Sequence, residues 1–396
     1  MRHLFLTDCF PPPLEGGSVV FLHNLISHLP PEDVLVLTNA RPGQEPFDRA
    51  ERYRIVRSGI PWHGFGKAWQ ARVVLRWARL LSALLRRERF DLVHAGDFFL
   101  SGVTAWWTWR RKKIPYVLYA YAEELNCQLK RRDRFWGALK GRVYRRLARD
   151  AAGMVVVSDY TASLLERFGA PREKILKIVP MVAPGAEVAP EGLREARRRW
   201  NLPEGEKVIF TAGRMIERKG QDKLIEALPE VLERVPGARL LVAGRGPEEE
   251  RLRALAAGTG VGDRVVFAGF VPDEELPALF ELCDVFAMPH RELPNGDTEG
   301  CPTVFLEAGA HGKPVVGGRV GGVRDAILDG ETGLIVDGEQ TGQIARALVR
   351  LLADPALARR LGENGRRRVL EELAPERGAK RLIEYCHTIL SGGAAA

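Results

Sequence analysis

Short apolar segments alternate with longer amphipathic segments in both halves of the chain, and this alternation constrains the fold most strongly. It is typical of βαβ units around a mainly parallel sheet. The predicted strands are RHLFLTD, VLVLTN, YRIVRS, DLVHAG, YVLYAYA, MVVVSD and KILKIVP, followed in the second half by KVIFTAG, RLLVAG, RVVFAGF, DVFAMPH, PVVGGR and GLIVD. We therefore expect an α/β protein with two doubly wound, Rossmann-like domains facing each other across a cleft. Its ligands would bind at the carboxyl ends of the strands.

A proline-rich segment, VPMVAPGAEVAPEG, separates the two halves and is typical of a linker. In the first half, helices are predicted near 17–29, 68–88, 99–112, 131–149 and 161–168. This pattern predicts a first domain at 1–184 and a second at 185–375. The remaining residues, 376–396, would form a helix that packs back on the first domain, followed by a tail.

Composition excludes several classes of protein. The 396 residues are 45% hydrophobic and 28% charged, unlike a disordered or collagen-like chain. The five cysteines lie far apart and form no CxxC pair, so neither a disulfide framework nor a zinc site is indicated. The apolar part of MRHLFLTDCFPPP is too short for a signal peptide, and no apolar run reaches the about 18 residues of a membrane span. We expect a cytoplasmic protein.

Positive charge is concentrated in the first half of a chain whose formal net charge is +8. Residues 1–190 hold 30 lysines and arginines against 18 acidic residues, whereas residues 191–396 hold 29 against 33. Residues 51–150 alone hold 23 against 8. This asymmetry predicts that the first domain meets an anionic surface or substrate.

Two glutamates in the segment TEGCPTVFLEAGAHGKPVVGG are candidates for sugar binding. Glu299 lies in a loop after a predicted strand, and Glu307 lies on a helix that begins near Thr303. Backbone N–H groups at Cys301, Thr303 and Val304 would favour an anion or sugar hydroxyls at this helix N-terminus. A carboxylate just inside the helix can accept hydrogen bonds from a vicinal diol such as ribose. Because this spacing also arises by chance, the hypothesis depends on the surrounding motif.

Two cations in FTAGRMIERKGQDKL form a second candidate cluster. Arg214 follows a predicted strand, and Lys219 lies at the start of the next helix. Together they could clamp a diphosphate, since a guanidinium engages two phosphate oxygens and an ammonium adds a point charge. Such a pair can also be an ordinary solvated surface.

Glycines directly after the first strand form a third candidate. Gly16 and Gly17 in PPPLEGGS would let the backbone approach a ligand before a helix begins. Neither this segment nor GRGPEE matches G-x-G-x-x-G, and no Walker A sequence occurs. A dinucleotide fingerprint is therefore missing from the expected first turn.

Taken together, these motifs resemble the family 4 glycosyltransferases, retaining enzymes of the GT-B fold, over nearly the whole chain. The matching motifs are the EGG loop, DLVHA, GR…RKG, AGRGPEEERL, FAGFVPDEEL, the pair of glutamates eight residues apart, and GG…DGETGLIVDG. The segment TEG…EAGAHGKPVVGG…GG is similar to that of the phosphatidylinositol mannosyltransferases.

The resemblance implies roles for the candidate residues. Arg214 and Lys219 would hold the diphosphate of the sugar donor and act in catalysis, and Glu307 would bind its ribose. Glu299 would contact the transferred hexose and, like Arg214 and Lys219, act in catalysis. The residues after it would line the same sugar-donor site: Cys301, Pro302, Thr303 and Val304.

The resemblance also implies catalysis without a metal or a cofactor, because cations and N–H donors stabilise the departing nucleoside diphosphate. The amides of Gly16 and Gly17 would reach the phosphates from the other domain, which requires a closed cleft. Attack from the front side, with the leaving phosphate taking the acceptor proton, would retain the anomeric configuration.

One position departs from the family pattern. The family commonly has a histidine after the strand predicted at YVLYAYA, and the matching residue here is Tyr121, followed by Ala122. A tyrosine can donate a hydrogen bond but does not titrate near neutral pH. Tyr121 and His94 are the candidates for the acceptor or sugar side. His290 and His311 are interpreted as structural.

The basic stretches WARLLSALLRRERF, TAWWTWRRKK and KRRDRFWGALKGRVYRRLARD indicate a partner for the first domain. Tryptophans beside arginines and lysines in the second stretch are typical of an anchor on anionic lipid. The alternative is that the apolar residues of the third stretch pack in the domain core: Phe135, Trp136, Leu139, Val143 and Leu147. No nucleic-acid-binding module is found, so nucleic acid is not expected as a partner.

The sequence therefore predicts a retaining glycosyltransferase that moves a hexose from a UDP- or GDP-sugar to a lipid or lipid-linked glycan, as a peripheral protein on the inner face of the cell membrane. One alternative is a sugar-nucleotide epimerase on the same fold, which would need no acceptor. The other is a two-domain sugar-binding protein without catalysis.

Overall fold

The chain divides into two units, each built on its own parallel sheet. The structure is a computed structural model that describes residues 1–14, 16–61, 66–130 and 134–392. Unit 1 comprises Met1–Met181 and Pro375–Ala396, and unit 2 comprises Val182–Ala374. The first boundary lies three residues before the predicted one, and the second lies one residue before it.

Unit 1 contains a seven-stranded sheet in the order β3-β2-β1-β4-β5-β6-β7, with every pair parallel. Its strands are β1 His3–Leu6, β2 Val34–Ala40, β3 Arg54–Pro61, β4 Leu92–Ala95, β5 Tyr116–Ala120, β6 Gly153–Val156 and β7 Ile175–Lys177. Its helices are α1 Gly17–Ser27, α2 Gln44–Ala50, α3 Lys67–Arg87, α4 Leu100–Lys112, α5 Ala122–Lys130, α6 Arg134–Asp150, α7 Asp159–Arg167 and α16 Pro375–Leu390. This strand order is that of a doubly wound sheet.

Strands β1, β4, β5 and β6 are buried along their whole length, because helices cover both faces of a doubly wound sheet. The predicted strand YVLYAYA is too long at its carboxyl end. It stops at Ala120 because the backbone N–H of Tyr121 donates to Oε1 of Glu124, at 3.4 Å, where helix α5 begins.

Helix α16 belongs to unit 1 although it follows unit 2 in the sequence. The hydroxyl of Tyr385 donates to the carbonyl of Lys174 at 2.6 Å and accepts from the N–H of Met154 at 3.0 Å. A Cβ at Gly153 would lie 2.2 Å from this hydroxyl, so only glycine fits there. The end of the chain therefore completes the core beside β6 and β7.

Unit 2 contains a six-stranded parallel sheet in the order β10-β9-β8-β11-β12-β13. Its strands are β8 Lys207–Ala212, β9 Ala238–Ala243, β10 Val265–Gly269, β11 Val285–Met288, β12 Val315–Gly318 and β13 Gly333–Val336. Its helices are α8 Pro190–Arg199, α9 Gln221–Arg234, α10 Glu249–Gly258, α11 Leu276–Leu282, α12 Thr303–Ala310, α13 Val323–Ala326, α14 Thr341–Ala353 and α15 Pro355–Glu372. The order reverses between β8 and β11, and ligands of doubly wound sheets bind at such a point. The prediction of two Rossmann-like sheets is confirmed.

Candidate active site

The loops after β8 and β11 meet at the carboxyl edge of the unit 2 sheet. Gly220 has a φ of 73° and precedes α9. A Cβ at Gly220 would lie 2.2 Å from the carbonyl oxygen of Pro289, which follows β11. Both the left-handed backbone and the close approach require glycine. This contact brings Lys219 of the first loop to Glu299 of the second.

Lys219 and Glu299 form an ion pair at this junction. The Nζ of Lys219 lies 2.7 Å from Oε1 of Glu299, and both side chains are largely buried. Burial acts to raise the pKa of Glu299, but Lys219, His290 and Arg218 together lower it to about 2. The glutamate is therefore ionised at neutral pH.

Arg214 is exposed, and its guanidinium forms no ion pair with any residue that the structure describes. It lies one residue beyond Gly213, which directly follows β8. A guanidinium without a protein carboxylate can bind an anionic ligand at no cost of breaking a salt bridge. Arg214 can therefore bind a ligand without losing a protein contact, whereas Lys219 is already paired with the carboxylate of Glu299.

The glycine-rich segment at the end of β12 and directly after it supports the Glu299 loop. A Cβ at Gly321, where φ is 51°, would lie 2.0 Å from the carbonyl oxygen of Glu299, and the N–H of Gly322 donates to the same oxygen at 3.1 Å. A Cβ at Gly318 would lie 2.0 Å from the carbonyl oxygen of His290. The motif GGRVGG is therefore explained by backbone packing beneath the site.

Helix α12 begins at Thr303, as the sequence predicts. No side chain caps this N-terminus, and the first N–H groups of a helix have no acceptor within it. Thr303 and Val304 can thus donate to a ligand, whereas Pro302 has no N–H and contributes only shape. Cys301 is half-buried beside it.

Glu307 lies one turn into α12, where its carboxyl group bonds with the Thr303 side chain. Burial raises the pKa of Glu307, and the nearby Asp273 carboxylate raises it further against the smaller effect of Lys219. The two glutamates of the motif are thus both close to Lys219 but differ in their surroundings.

Arg218 was not among the predicted site residues, and His290, interpreted as structural, lies beside Glu299. The Nη1 of Arg218 donates to Oε1 of Glu299 at 2.6 Å. The Nε2 of His290 lies 3.7 Å from the same oxygen, and burial lowers the pKa of this histidine to about 3. Neither ring nitrogen of His290 finds a hydrogen-bond partner within the described part of the chain. His290 therefore adjoins the site rather than serving only the core.

Gly16 in unit 1 precedes α1 with a φ of 91°, and its carbonyl accepts from the N–H groups of Val19 and Val20. Helix α1 begins at Gly17, and a Cβ at Gly16 would meet no atom within 4 Å. The backbone conformation, rather than crowding, requires glycine here. Phosphate binding by these two residues stays a prediction.

The ring of His94 is fully buried, and its predicted place on the acceptor or sugar side stays a prediction. Its Nε2 lies 2.9 Å from Nδ1 of His3, and its Nδ1 lies 3.1 Å from the hydroxyl of Tyr119. Side chains alternate between the faces of a strand, and this one points into the core.

A buried cluster of possible metal ligands includes this histidine pair. The ligand atoms of His3, His94 and Cys386 lie within 4.8 Å of one another, as the one such group in the described part of the chain. Because all three are buried, they leave no open position for a substrate. Catalysis without a metal stays a prediction.

Tyr121 lies directly after β5, and its hydroxyl is buried without a partner in the described ranges. Burial, and then the carboxylates of Glu124 and Asp97, raise its pKa. Burial and Asp97 also raise the pKa of Asp8 to about 7 and that of Glu124 to about 8. The carboxyl groups of Asp8, Asp97 and Glu124, which follow β1, β4 and β5, were not among the predicted site residues.

Lys219, Glu299 and Glu307 lie close together in a doubly wound unit. This arrangement is the one expected of nucleotide-sugar-dependent glycosyltransferases with two Rossmann-like domains. The model of glycosyl transferases group 1 matches residues 194–368, and that of glycosyltransferase family 4 matches residues 15–183.

Relatives of known function agree with this class. A GDP-mannose-dependent alpha-(1-6)-phosphatidylinositol monomannoside mannosyltransferase of Mycobacterium tuberculosis is 38% identical over 396 residues, and the alignment covers 97% of each chain. The protein of the same name from Mycolicibacterium smegmatis is 41% identical over 250 residues, which cover 63% of this chain and 64% of that one. This chain belongs to glycosyltransferase family 4, and the predicted family and enzyme class are confirmed.

Solved structures share the fold. The Anabaena HepE protein in complex with UDP has a TM-score of 0.79 at 19% identity and covers 98% of this chain and all of its own. The sucrose-phosphate synthase of Thermosynechococcus elongatus has a TM-score of 0.79 at 23% identity, covering 99% of this chain and all of its own. The GT-B prediction is thereby confirmed.

Proposed function

We propose that this chain transfers mannose from GDP-mannose to a phosphatidylinositol-type glycolipid, with retention of configuration. The sequence alone left the hexose and the base open. Near full-length similarity to a mannosyltransferase that uses GDP-mannose supports this choice. The observation that carries the proposal is the site itself, where Lys219, Glu299 and Glu307 gather at the free N-terminus of α12.

The chemistry follows from charge that develops on the leaving group. Departure of GDP places negative charge on its phosphates, and Arg214 with Lys219 and the N–H groups of Thr303 and Val304 stabilise it. The ionised Glu299 orients the transferred hexose by accepting from its hydroxyls. The leaving phosphate takes the proton of the acceptor hydroxyl, so no protein base is required.

The acceptor lipid meets unit 1, and a basic surface on α3, α4 and α6 supports this part of the proposal. These helices pack side by side, and Arg110, Arg111 and Lys112 are exposed at the end of α4. The Arg111 guanidinium lies 4.7 Å above the ring of Trp107. Cationic and aromatic side chains combined in this way favour binding to an anionic lipid surface.

The tryptophans and apolar residues of this surface divide between core and solvent. Trp106 bonds to Asp150 at 2.9 Å, and Leu147 is buried in the core. Leu75 on α3 and Leu139 on α6 are 60% and 44% exposed. Residues 131–133 and the side chains of Phe135 and Trp136 lie outside the described set. No helix among the described residues is long and apolar enough to cross a membrane.

The test incubates the purified chain with GDP-mannose, GDP-glucose, UDP-glucose or UDP-N-acetylglucosamine, with and without phosphatidylinositol monomannoside in vesicles. We expect mannosylated lipid from GDP-mannose only, detected by mass spectrometry. Conversion of the nucleotide sugar without a lipid acceptor would instead identify an epimerase. Binding without conversion of any sugar would reject the proposal.

A further inference from the structure

Two cations share one oxygen of Glu299, and only one of them has a role in the proposed function. Oε1 of Glu299 lies 2.7 Å from Nζ of Lys219 and 2.6 Å from Nη1 of Arg218. Lys219 is the residue proposed to hold the diphosphate. Its ammonium must therefore turn partly from the carboxylate to a phosphate when the sugar donor binds.

Arg218 is built into the loop that carries Glu299. The same Nη1 also donates to the carbonyl of Thr298 at 3.2 Å, and Nε lies 3.0 Å from Oδ1 of Asp297. One guanidinium thus holds three consecutive residues, 297–299. The planar fork of an arginine makes such multiple contacts in one fixed orientation, which a lysine cannot do.

The backbone of Arg218 is fixed as well. Its carbonyl accepts from the N–H of Arg291 at 2.9 Å. The Arg291 guanidinium forms two parallel hydrogen bonds with Asp222, both of 2.9 Å. The Arg218 side chain is 12% exposed, so water competes little for its contacts. It cannot turn to a phosphate without releasing the whole loop.

From this geometry we propose that Arg218 is the positioning residue for Glu299. It keeps the carboxylate paired and oriented toward the hexose while Lys219 is recruited to the diphosphate. The inference rests on the proposed function, because it assigns the two cations to two stages of sugar-donor binding. Arg218 itself touches neither the sugar nor the phosphates.

The first test compares Arg218→Gln and Arg218→Lys with the wild type. We expect Arg218→Gln to lower kcat by about thirtyfold and to weaken binding of the nucleotide sugar by about tenfold in calorimetry, with binding of GDP alone changed less than about threefold. Arg218→Lys keeps the charge but loses the fork, so it restores kcat only in part. Equal losses for GDP and the nucleotide sugar would overturn the proposal.

A matched control separates positioning from stability. Arg239 is a buried arginine at the opposite edge of the same sheet, where its Nε lies 2.5 Å from Oε2 of Glu206. Arg239→Gln removes an equivalent buried pair far from the site. We expect a similar fall in melting temperature for both glutamine variants but a loss of kcat only for Arg218→Gln.

A double-mutant cycle with Glu299→Gln is the decisive measurement. If Arg218 acts through Glu299, the double variant has the kcat of Glu299→Gln alone, within about twofold. Additive losses of kcat would show an independent role and reject the inference. If the wild-type chain binds and converts no nucleotide sugar, the proposed function fails instead, so the two failures are distinguishable.

Discussion

Glu299 and Glu307 lie eight residues apart, yet their surroundings shift their pKa values in opposite directions. Glu299 faces two cations that lower its pKa to about 2 against the effect of burial. Burial, and then the nearby Asp273 carboxylate, raise the pKa of Glu307, although the hydrogen bond with Thr303 acts to lower it. A charged group suits orientation of a hexose, and a desolvated group suits hydrogen bonds to a diol.

Replacing Glu307 and replacing Lys219 should therefore affect different kinetic constants. We expect Glu307→Ala to weaken binding of the nucleotide sugar by about tenfold or more, because the ribose loses its hydrogen bonds to the buried carboxyl group. Lys219→Ala should mainly lower kcat, by about a hundredfold, because charge on the phosphates peaks in the transition state. Calorimetry and steady-state kinetics separate the two. Unchanged binding in Glu307→Ala would remove that residue from the site.

The carboxyl groups near Tyr121 predict a pH dependence of stability. Because the pKa values of Asp8 and Glu124 are raised to about 7 and about 8, the folded unit holds protons that the unfolded chain has released. This contribution to stability is complete below about pH 4 and is lost as the pH rises through 7 and 8.

Urea unfolding at pH 6 and pH 9 measures this effect. We expect wild-type stability to fall over this interval, and Glu124→Gln to remove on the order of 1 kcal/mol of the fall. The exposed Glu173→Gln serves as the control and should leave the fall unchanged. An identical pH dependence of the free energy of unfolding in the wild type and in Glu124→Gln would contradict the raised pKa of Glu124.

At the scale of elements, hydrophobic patterning predicted the strands of both sheets but not helices α2 and α5. Helix α2, QEPFDRA, is only seven residues long and buries none of them, so it carries no periodic apolar stripe. Helix α5 starts two residues after β5, and its first residue was assigned to that strand. Boundaries set by a local hydrogen bond, such as that of Glu124, are not visible in a pattern of apolar residues.

Some residues of the candidate site were likewise predictable from the sequence, and others were not. Strand-end position and glycine spacing led to Arg214, Lys219, Glu299 and Glu307, because the carboxyl edge of a parallel sheet gathers its loops. The pair of Arg218 and Glu299 joins residues 81 positions apart, and no periodicity encodes which loops touch. The burial of His94 beside His3 was likewise not predictable, because the end of a strand does not tell which face a side chain takes.

The exposed charges of helix α4 carry the membrane prediction. Replacing Arg110, Arg111 and Lys112 by glutamine should lower the fraction bound to phosphatidylglycerol vesicles at low salt at least about tenfold, since each cation contributes roughly 1 kcal/mol near an anionic surface. Cosedimentation checks this. The control is Arg366→Gln with Arg367→Gln, two exposed arginines of α15. Equal loss in both variants, or no wild-type binding, would reject the membrane surface.

At the scale of the whole molecule, charge and function divide along the same line. Residues 1–190 hold the excess of lysine and arginine, whereas the second half, with 29 basic against 33 acidic residues, holds the candidate sugar-donor site. In the proposed function, the nucleotide-sugar donor would meet a few cations of the candidate site in unit 2, while most of the excess positive charge lies in unit 1. The net charge of +8 describes neither unit well.

Unit 1 also depends on the end of the chain. We expect Tyr385→Phe to destabilise it by about 1–2 kcal/mol, because the buried N–H of Met154 loses its acceptor. Hydrogen exchange should accelerate in β6 and β7 and stay unchanged in β8–β13. Equal acceleration in both sheets would show that the helix does not act on unit 1 alone.

Because α16 follows all of unit 2 in the sequence, unit 1 is completed on the ribosome only after unit 2 has been made. Met154 precedes its partner Tyr385 by 231 residues, a delay of about 10–50 s at ordinary rates of synthesis. All of unit 2 emerges within that interval. Unit 1, which carries the basic helices, therefore still lacks α16 when unit 2 has been completely synthesised and can fold.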